Sequence, residues 1–354
     1  MPFNSIPSSG EPLTKWLVLE NKESANKKKR AKLRIKLKYS EQLVLPLKFY
    51  ENLTTFLESE NFRAVNLLGE ALKTEANLIS NAVFNIFYSK EKHHDLITTL
   101  CAYELLKTDA AGTIFRGTTL STRVIEYYQR EFFSDSYLKE TLGNFITFLS
   151  ESTHSLEIDP TRLHKKENLE ENLENLTFVV SKLWEIIQSS INSVPISLKI
   201  IYRKISKMSR KKFADVENAH HSAIAGFFFL RFICPAILSP KLFGLIQSHP
   251  TSGTERKLTL VAKILQTLAN RVSFGPKEAY LICMNDKFII KNQRSMAGFL
   301  DKLTIYDKTA PVKEPLPRKE IFVAKDLDIL SNVFWDSLKT VESFSKSPKE
   351  VRNF

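Results

Sequence analysis

The sequence is poor in glycine, with 10 among 354 residues, and poorer still in cysteine, with three. So little glycine disfavours a turn-rich β architecture. Cys101, Cys234 and Cys283 are odd in number, far apart and set among apolar or helical residues, and no CxxC pair occurs. A disulfide framework and a cysteine zinc site are therefore not indicated, and a reducing cytosol fits. The N-terminal stretch "MPFNSIPSSGEPLTK" has no apolar core of the signal-peptide type. The most apolar window, residues 223–238, is shorter than the roughly 20 residues a membrane span needs and contains Arg231 and Pro235. It reads as a buried core helix. No GxxxxGK[ST] or GxGxxG loop is present, so nothing points to a nucleotide pocket in this chain. HExxH, Cys/His ligand spacings and GxSxG are missing too. The pairs His93–His94 and His220–His221 are chain neighbours, whose side chains diverge on a helix, so they read as ordinary histidines and not as ligands. The chain shows no self-contained active site.

Phenylalanine is abundant, with 25 residues, and favours large buried helices. Lys and Arg exceed Asp and Glu by 51 − 39 = 12, so an acidic partner is expected: nucleic acid, an anionic membrane or an acidic protein. Residues 1–31 look irregular and end in the basic run "NKKKR". In residues 32–39, "KLRIKLKY", apolar and basic residues alternate strictly, which predicts one half-buried strand. A lone strand cannot stand by itself, so it is expected to pair outside this pattern or to be the remnant of a β domain. From Pro46 the period becomes helical, with apolar residues three and four apart in successive segments to the C-terminus. Thr118 or Thr119 is the expected N-cap of the helix "LSTRVIEYYQREFF", Asp159–Pro160 is expected to start another, and "TAPVKEPLPRKE" is a surface loop. The fold class is all-α, preceded by a short segment with one strand. The expected division is residues 1–45 and a helical domain over 46–354, with its core at about 96–305 and flanking helices on either side.

Two segments stand out. In "AAGTIFRGTTL", residues 110–120, Arg116 follows the apolar Ile114 and Phe115 and lies between Gly112 and Gly117. This is a loop pinned by hydrophobes with one guanidinium free to project, and that group is a rigid donor fork suited to phosphate oxygens. A plain surface arginine is the alternative. In "FFFLRFICPAIL", residues 227–238, Arg231 lies inside an apolar helix. A buried guanidinium is costly unless its donors are used. Carbonyls of a nearby irregular loop would use them, and Pro235 is expected to break the helix one turn later. Snorkelling to water is the alternative.

Together these segments resemble the Ras GTPase-activating proteins, including the Ras-GAP domain of neurofibromin. "TIFRGTTL" matches the family's finger loop and "FLRFICPA" its FLR…PA signature; "EIDPTRL", "KILQTLANRVSFGPKEAYL" and "NDKFIIKNQRSMAGFLDKL" follow in the family's order over residues 46–305. The flavour is that of the subgroup with a C2 domain directly before the GAP domain, so the 32–39 strand resembles the end of a C2 domain. Residues 204–221 and the C-terminal helix match poorly.

The resemblance implies that Arg116 is an arginine finger, inserted in trans beside the phosphates of a Ras protein, and that Arg231 holds the finger loop in shape. It implies further that Thr113, Phe115, Gly117, Leu230, Gln266, Asn270 and Lys277 face the GTPase. No cofactor or metal of the chain's own is implied, because GTP and magnesium belong to the partner. The implied partner is a GTP-bound Ras-family GTPase, with an anionic membrane surface beside it, in the cytoplasm at the inner face of the plasma membrane. The implied function is activation of GTP hydrolysis and down-regulation of Ras signalling, not an enzyme in its own right. A non-catalytic GTPase-binding scaffold is the alternative. Nucleic-acid binding fits less well, because the aromatics sit at helical core spacing and do not interleave with the basic run.

Overall fold

The computed structural model describes residues 13–18, 32–37, 43–72, 75–165 and 167–336. Contacts divide the chain at Pro46 into two compact units. In the first, β1 (Leu13–Val18) pairs antiparallel with β2 (Lys32–Leu37), Leu13 opposite Leu37 and Val18 opposite Lys32. The expected single strand is therefore one of two. Its partner was missed because "LTKWLV" is short and set in polar sequence. The basic run at 26–30, and the part of the expected C-terminal helix beyond residue 336, lie outside the described residues.

The described residues of the second unit form helices and the loops that join them. In order it contains α1 (Glu51–Ala71), α2 (Ala76–Ser89), α3 (His93–Lys107), α4 (Leu120–Phe133), α5 (Lys139–Glu151), α6 (Leu169–Ser189), α7 (Ile196–Lys212), α8 (Ala219–Ala225), α9 (Cys234–Leu238), α10 (Ser252–Ala269), α11 (Ile290–Lys302) and α12 (Val323–Asp336). Polar side chains cap three of its helices, α4, α6 and α10. Thr119 caps α4 in a reciprocal box with Thr122, and Asn168 caps α6 with Glu170 and Glu171 in the first turn. The expected start of a helix at Asp159–Pro160 is corrected. Asp159 accepts from the backbone and hydroxyl of Thr161 in a local turn, and α6 begins only after the Asn168 cap.

The centre of the unit is the apolar stretch from Ala219 to Leu238, one continuous helix long and apolar enough to cross a membrane but mostly buried inside the domain. Phe227, Phe228, Phe229 and Phe232 are fully buried in it. Phe228 meets Tyr137, Tyr202 and Phe299 from three other elements. Such aromatic contacts add to the burial of area. Pro235 does not break this helix, contrary to the expectation. Residues Gly226–Ile233 widen into π-helical turns between α8 and α9, and Pro235 sits directly after them in the first turn of α9.

Candidate finger-loop site

The loop between α3 and α4 opens with a tight turn, Ala111–Thr113. Ile114 and Phe115 then plunge into the core, and the Phe115 ring lies 4.7 Å from that of Phe227. Arg116 turns back out and is exposed, as are Gly112, Thr113 and Gly117. The loop is thus a hook, buried at its root and open at its tip. Phe115 has φ of +51°, while among the described residues the one glycine with positive φ is Gly244, far from this loop in sequence. The left-handed torsion falls on the buried phenylalanine and not on the two glycines beside Arg116. Core packing of the ring holds a torsion that a bulky residue rarely adopts. The Phe115 side chain is buried, as its reading as an apolar anchor expects, unlike Thr113 and Gly117 among the residues implied to face the GTPase, and what it presents is its carbonyl.

That carbonyl belongs to Arg231. The Arg231 guanidinium donates to Phe115 O from Nε at 3.3 Å and from Nη2 at 2.9 Å, and from Nη2 to Gly117 O at 2.6 Å. Its Nη1 makes an ion pair with Glu126 of α4. The side chain is 9% exposed, so these bonds act at low dielectric, where each is stronger and an unmade one costs more. The π-helical turns Gly226–Ile233 carry Arg231 to this position, and Gly226 presents a bare backbone to the Ile114 and Phe115 carbonyls, which a Cβ there would meet at 4.0 Å. Arg231 takes the carbonyls on either side of Arg116 and not that of Arg116 itself.

A second clamp holds the exit of the loop. Glu104 of α3 accepts hydrogen bonds from the hydroxyls of Thr119, at 2.5 Å, and of Ser121. Thr122 donates to Gly117 O at 3.2 Å. Burial pushes the Glu104 carboxyl above its ordinary value, and its bonds to Ser121 and Thr119 pull the other way. At the tip, Arg116 Nη2 lies 3.5 Å from Oδ1 of Asn270, the C-cap of α10. That is the long limit of a hydrogen bond, so the guanidinium is only lightly held.

Residues 96–171 and 164–270 match the family described as GTPase-activator protein for Ras-like GTPase. The chain belongs to the Ras GTPase-activating protein family. It is 37% identical over 302 residues to the probable Ras GTPase-activating-like protein ngap of Dictyostelium discoideum, covering 85% of this chain and 34% of that protein. It is 31% identical over 294 residues to Ras GTPase-activating protein 1 of Homo sapiens, covering 83% of this chain and 28% of that one. With Ras GTPase-activating protein 2 of Homo sapiens the figures are 32% over 326 residues, 86% and 38%. The chain spans about a third of the length of these curated relatives.

Within this family member, direct contacts join Arg116, Phe115, Gly117, Arg231 and Asn270. Thr113 accepts the Arg116 N–H at 3.1 Å, and its own hydroxyl donates to Ala110 O. Leu230 is half-buried next to Arg231, and Gln266 is half-buried one turn before Asn270 on α10. Lys277 is exposed in the turn Pro276–Leu281, outside that hydrogen-bonded set. Glu104 and Glu126 did not stand out in the sequence. Their partners lie 15 and 105 residues away, and an acidic residue on an amphipathic helix carries no mark of a distant partner. The histidine pairs are corrected as well. They do not diverge, because each opens a helix and leans on one carboxylate, Glu314 or Asp301.

Proposed function

We propose that this chain accelerates GTP hydrolysis by a GTP-bound Ras-family GTPase, with Arg116 supplied in trans. The observation that carries the reading is one exposed guanidinium on a loop whose flanking carbonyls are both gripped by a buried arginine. Such a loop is ordered before the partner arrives, so little freedom is lost on docking. In the complex Arg116 neutralises charge developing on the transferring phosphoryl oxygens. The pairing of Ras with its activators is the type case of this chemistry. The Arg116 carbonyl, left alone by Arg231, accepts from the partner's glutamine that orients the attacking water. Thr113, Gly117, Leu230, Gln266, Asn270 and Lys277 make the GTPase-facing surface around the hook, and Phe115 serves as its root. The nucleotide and magnesium belong to the partner. The excess of 12 positive charges favours a place beside the anionic inner face of the plasma membrane, in the cytoplasm, where the activity switches Ras signalling off.

The test is hydrolysis by a panel of Ras-like GTPases with and without the chain, together with binding to each in its GTP and GDP forms. The expected result is selective binding of the GTP form and faster hydrolysis by at least one Ras-type member. Tight binding of the GTP form without acceleration anywhere would replace this reading with that of a scaffold.

A further inference from the structure

Both histidine pairs converge on a carboxylate, and their surroundings tell them apart. His93 and His94 at the start of α3 place Nε2 at 3.0 and 3.1 Å from Oε1 of Glu314. His220 and His221 at the start of α8 place Nε2 at 3.4 and 2.9 Å from Oδ1 of Asp301. In each trio the three donor atoms lie within 4.8 Å of one another, and two imidazoles with one carboxylate are a donor set that zinc accepts.

Around the second trio, a guanidinium nitrogen of Arg210 sits on His220 Nε2, and Arg271 Nη1 lies 3.2 Å from His221 Nδ1. Two permanent cations at the ring nitrogens oppose a third. Around the first trio the neighbours are aromatic: Phe84, Tyr88 and Tyr128 flank the His93 ring. The Tyr128 phenol donates to Glu314 Oε1 at 2.7 Å. Of the basic residues nearest in sequence, Lys90 and Lys92 pair with Glu58, and Lys313 is exposed. The side chains of His93 and Glu314 are 10% and 13% exposed. Glu314 Oε2 and His93 Nδ1 are buried with no hydrogen-bond partner. A direct ion pair between carboxylate and imidazoles leaves Glu314 Oε2 unexplained.

We propose that His93, His94 and Glu314 form a binding site for a divalent transition-metal ion, zinc being the ion that suits the donor set. The ion takes Nε2 of each histidine and the Glu314 carboxylate, and the unpartnered Oε2 turns to the metal. Water fills the fourth place. Glu314 comes from the loop between α11 and α12, 221 residues from His93. The bound ion therefore fastens that loop to the start of α3 and stabilises the folded chain. It stands apart from the finger loop and is independent of the proposed function.

The experiment uses the full chain without a histidine tag, stripped with chelator. Zinc chloride is titrated by calorimetry, Co2+ serves as a spectroscopic probe, and the melting temperature is read with and without zinc. The wild type is expected to bind one zinc, to show the visible bands of four-coordinate Co2+, and to melt higher with zinc. Glu314→Gln and His94→Ala should each weaken zinc binding by more than roughly tenfold, the loss that removing even a partner behind the ligands can bring, and should abolish the melting shift. Asp301→Asn should leave both intact. His94 is the more exposed histidine, so His94→Ala keeps the test alive should Glu314→Gln fail to fold. The proposal is overturned if the wild type binds no zinc at micromolar concentration. It is equally overturned if His94→Ala binds zinc as the wild type does, or if Asp301→Asn is the variant that loses it.

Discussion

Removing the Arg231 fork while keeping its stem tests how the finger loop is held. Arg231→Met deletes donors to Phe115 O, Gly117 O and the Glu126 carboxylate. Hydrogen bonds from a charged group contribute about 1.5–3 kcal/mol each, and breaking a buried ion pair costs about 3–5 kcal/mol. The sum is a ceiling, because Gly117 is exposed and Glu126 is 33% exposed, so water replaces part of what is lost. The two carbonyl bonds alone, at the lower end of their range, amount to about 3 kcal/mol, which corresponds to roughly 100-fold in a rate that depends on loop order. Single-turnover GTP hydrolysis by a Ras protein should fall by up to that factor, and amide exchange at residues 113–117 should quicken. Arg231→Lys should recover little, because one ammonium cannot reproduce the planar fork. Arg231→Met placed on top of Arg116→Ala should add almost nothing, since the clamp acts through the finger. If the two losses multiply, Arg231 does something other than hold Arg116, and the reasoning fails.

Three further outcomes concern stability. Phe115→Ala should lower the unfolding free energy by about 3–5 kcal/mol through the cavity left against Phe227, read as a lower urea midpoint at constant slope; a change below about 1 kcal/mol would show that the ring is not the root of the loop. Gly69→Ala places a Cβ 2.6 Å from Cβ and Cδ2 of Leu120, the first residue of α4, so it should destabilise by about 1–2 kcal/mol despite alanine's better helix propensity; a rise in stability would contradict the packing. Burial raises the Asp326 carboxyl to about 6, against the opposing hydrogen bond from Asn85. A group whose folded value is raised binds its proton more tightly in the native state, so stability falls as pH rises from about 4 to about 6. Asp326→Asn should therefore match the wild type near pH 4 and exceed it near pH 8 by about 1 kcal/mol, after allowance for partial exposure; parallel curves across that window would refute the assignment.

Much of this site was legible in the sequence because its signals are local. Ile114 and Phe115 beside Arg116 announce a pinned loop, and a charged Arg231 among phenylalanines announces a buried donor in need of acceptors. Helical periodicity carries the fold class for the same reason, and of the two cap candidates before "LSTRV", Thr118 and Thr119, Thr119 makes the cap of α4. What escaped depends on distant or cooperative terms. Glu126 and Glu104 find their partners only after folding. Pro235 does not end the helix: helix-breaking rules assume regular α turns, while here the proline directly follows the widened turns over Gly226–Ile233. Asp159–Pro160 has the composition of a helix start, but its side-chain turn and the bidentate Glu157–Arg256 pair, at 2.7 and 2.8 Å, hold the segment in an irregular path until Asn168. Ideal mid-helix geometry makes neighbouring histidines diverge, but these pairs stand at helix starts, where one distant carboxylate contacts both rings.

The most direct test of Arg116 as the finger is single-turnover GTP hydrolysis by a responsive Ras protein, with binding of the GTP form measured separately. Arg116→Ala leaves the hook's buried root and the Arg231 clamp in place, so binding should persist while hydrolysis returns to the GTPase's own rate. Hydrolysis accelerated as strongly by Arg116→Ala as by the wild type would contradict the central claim.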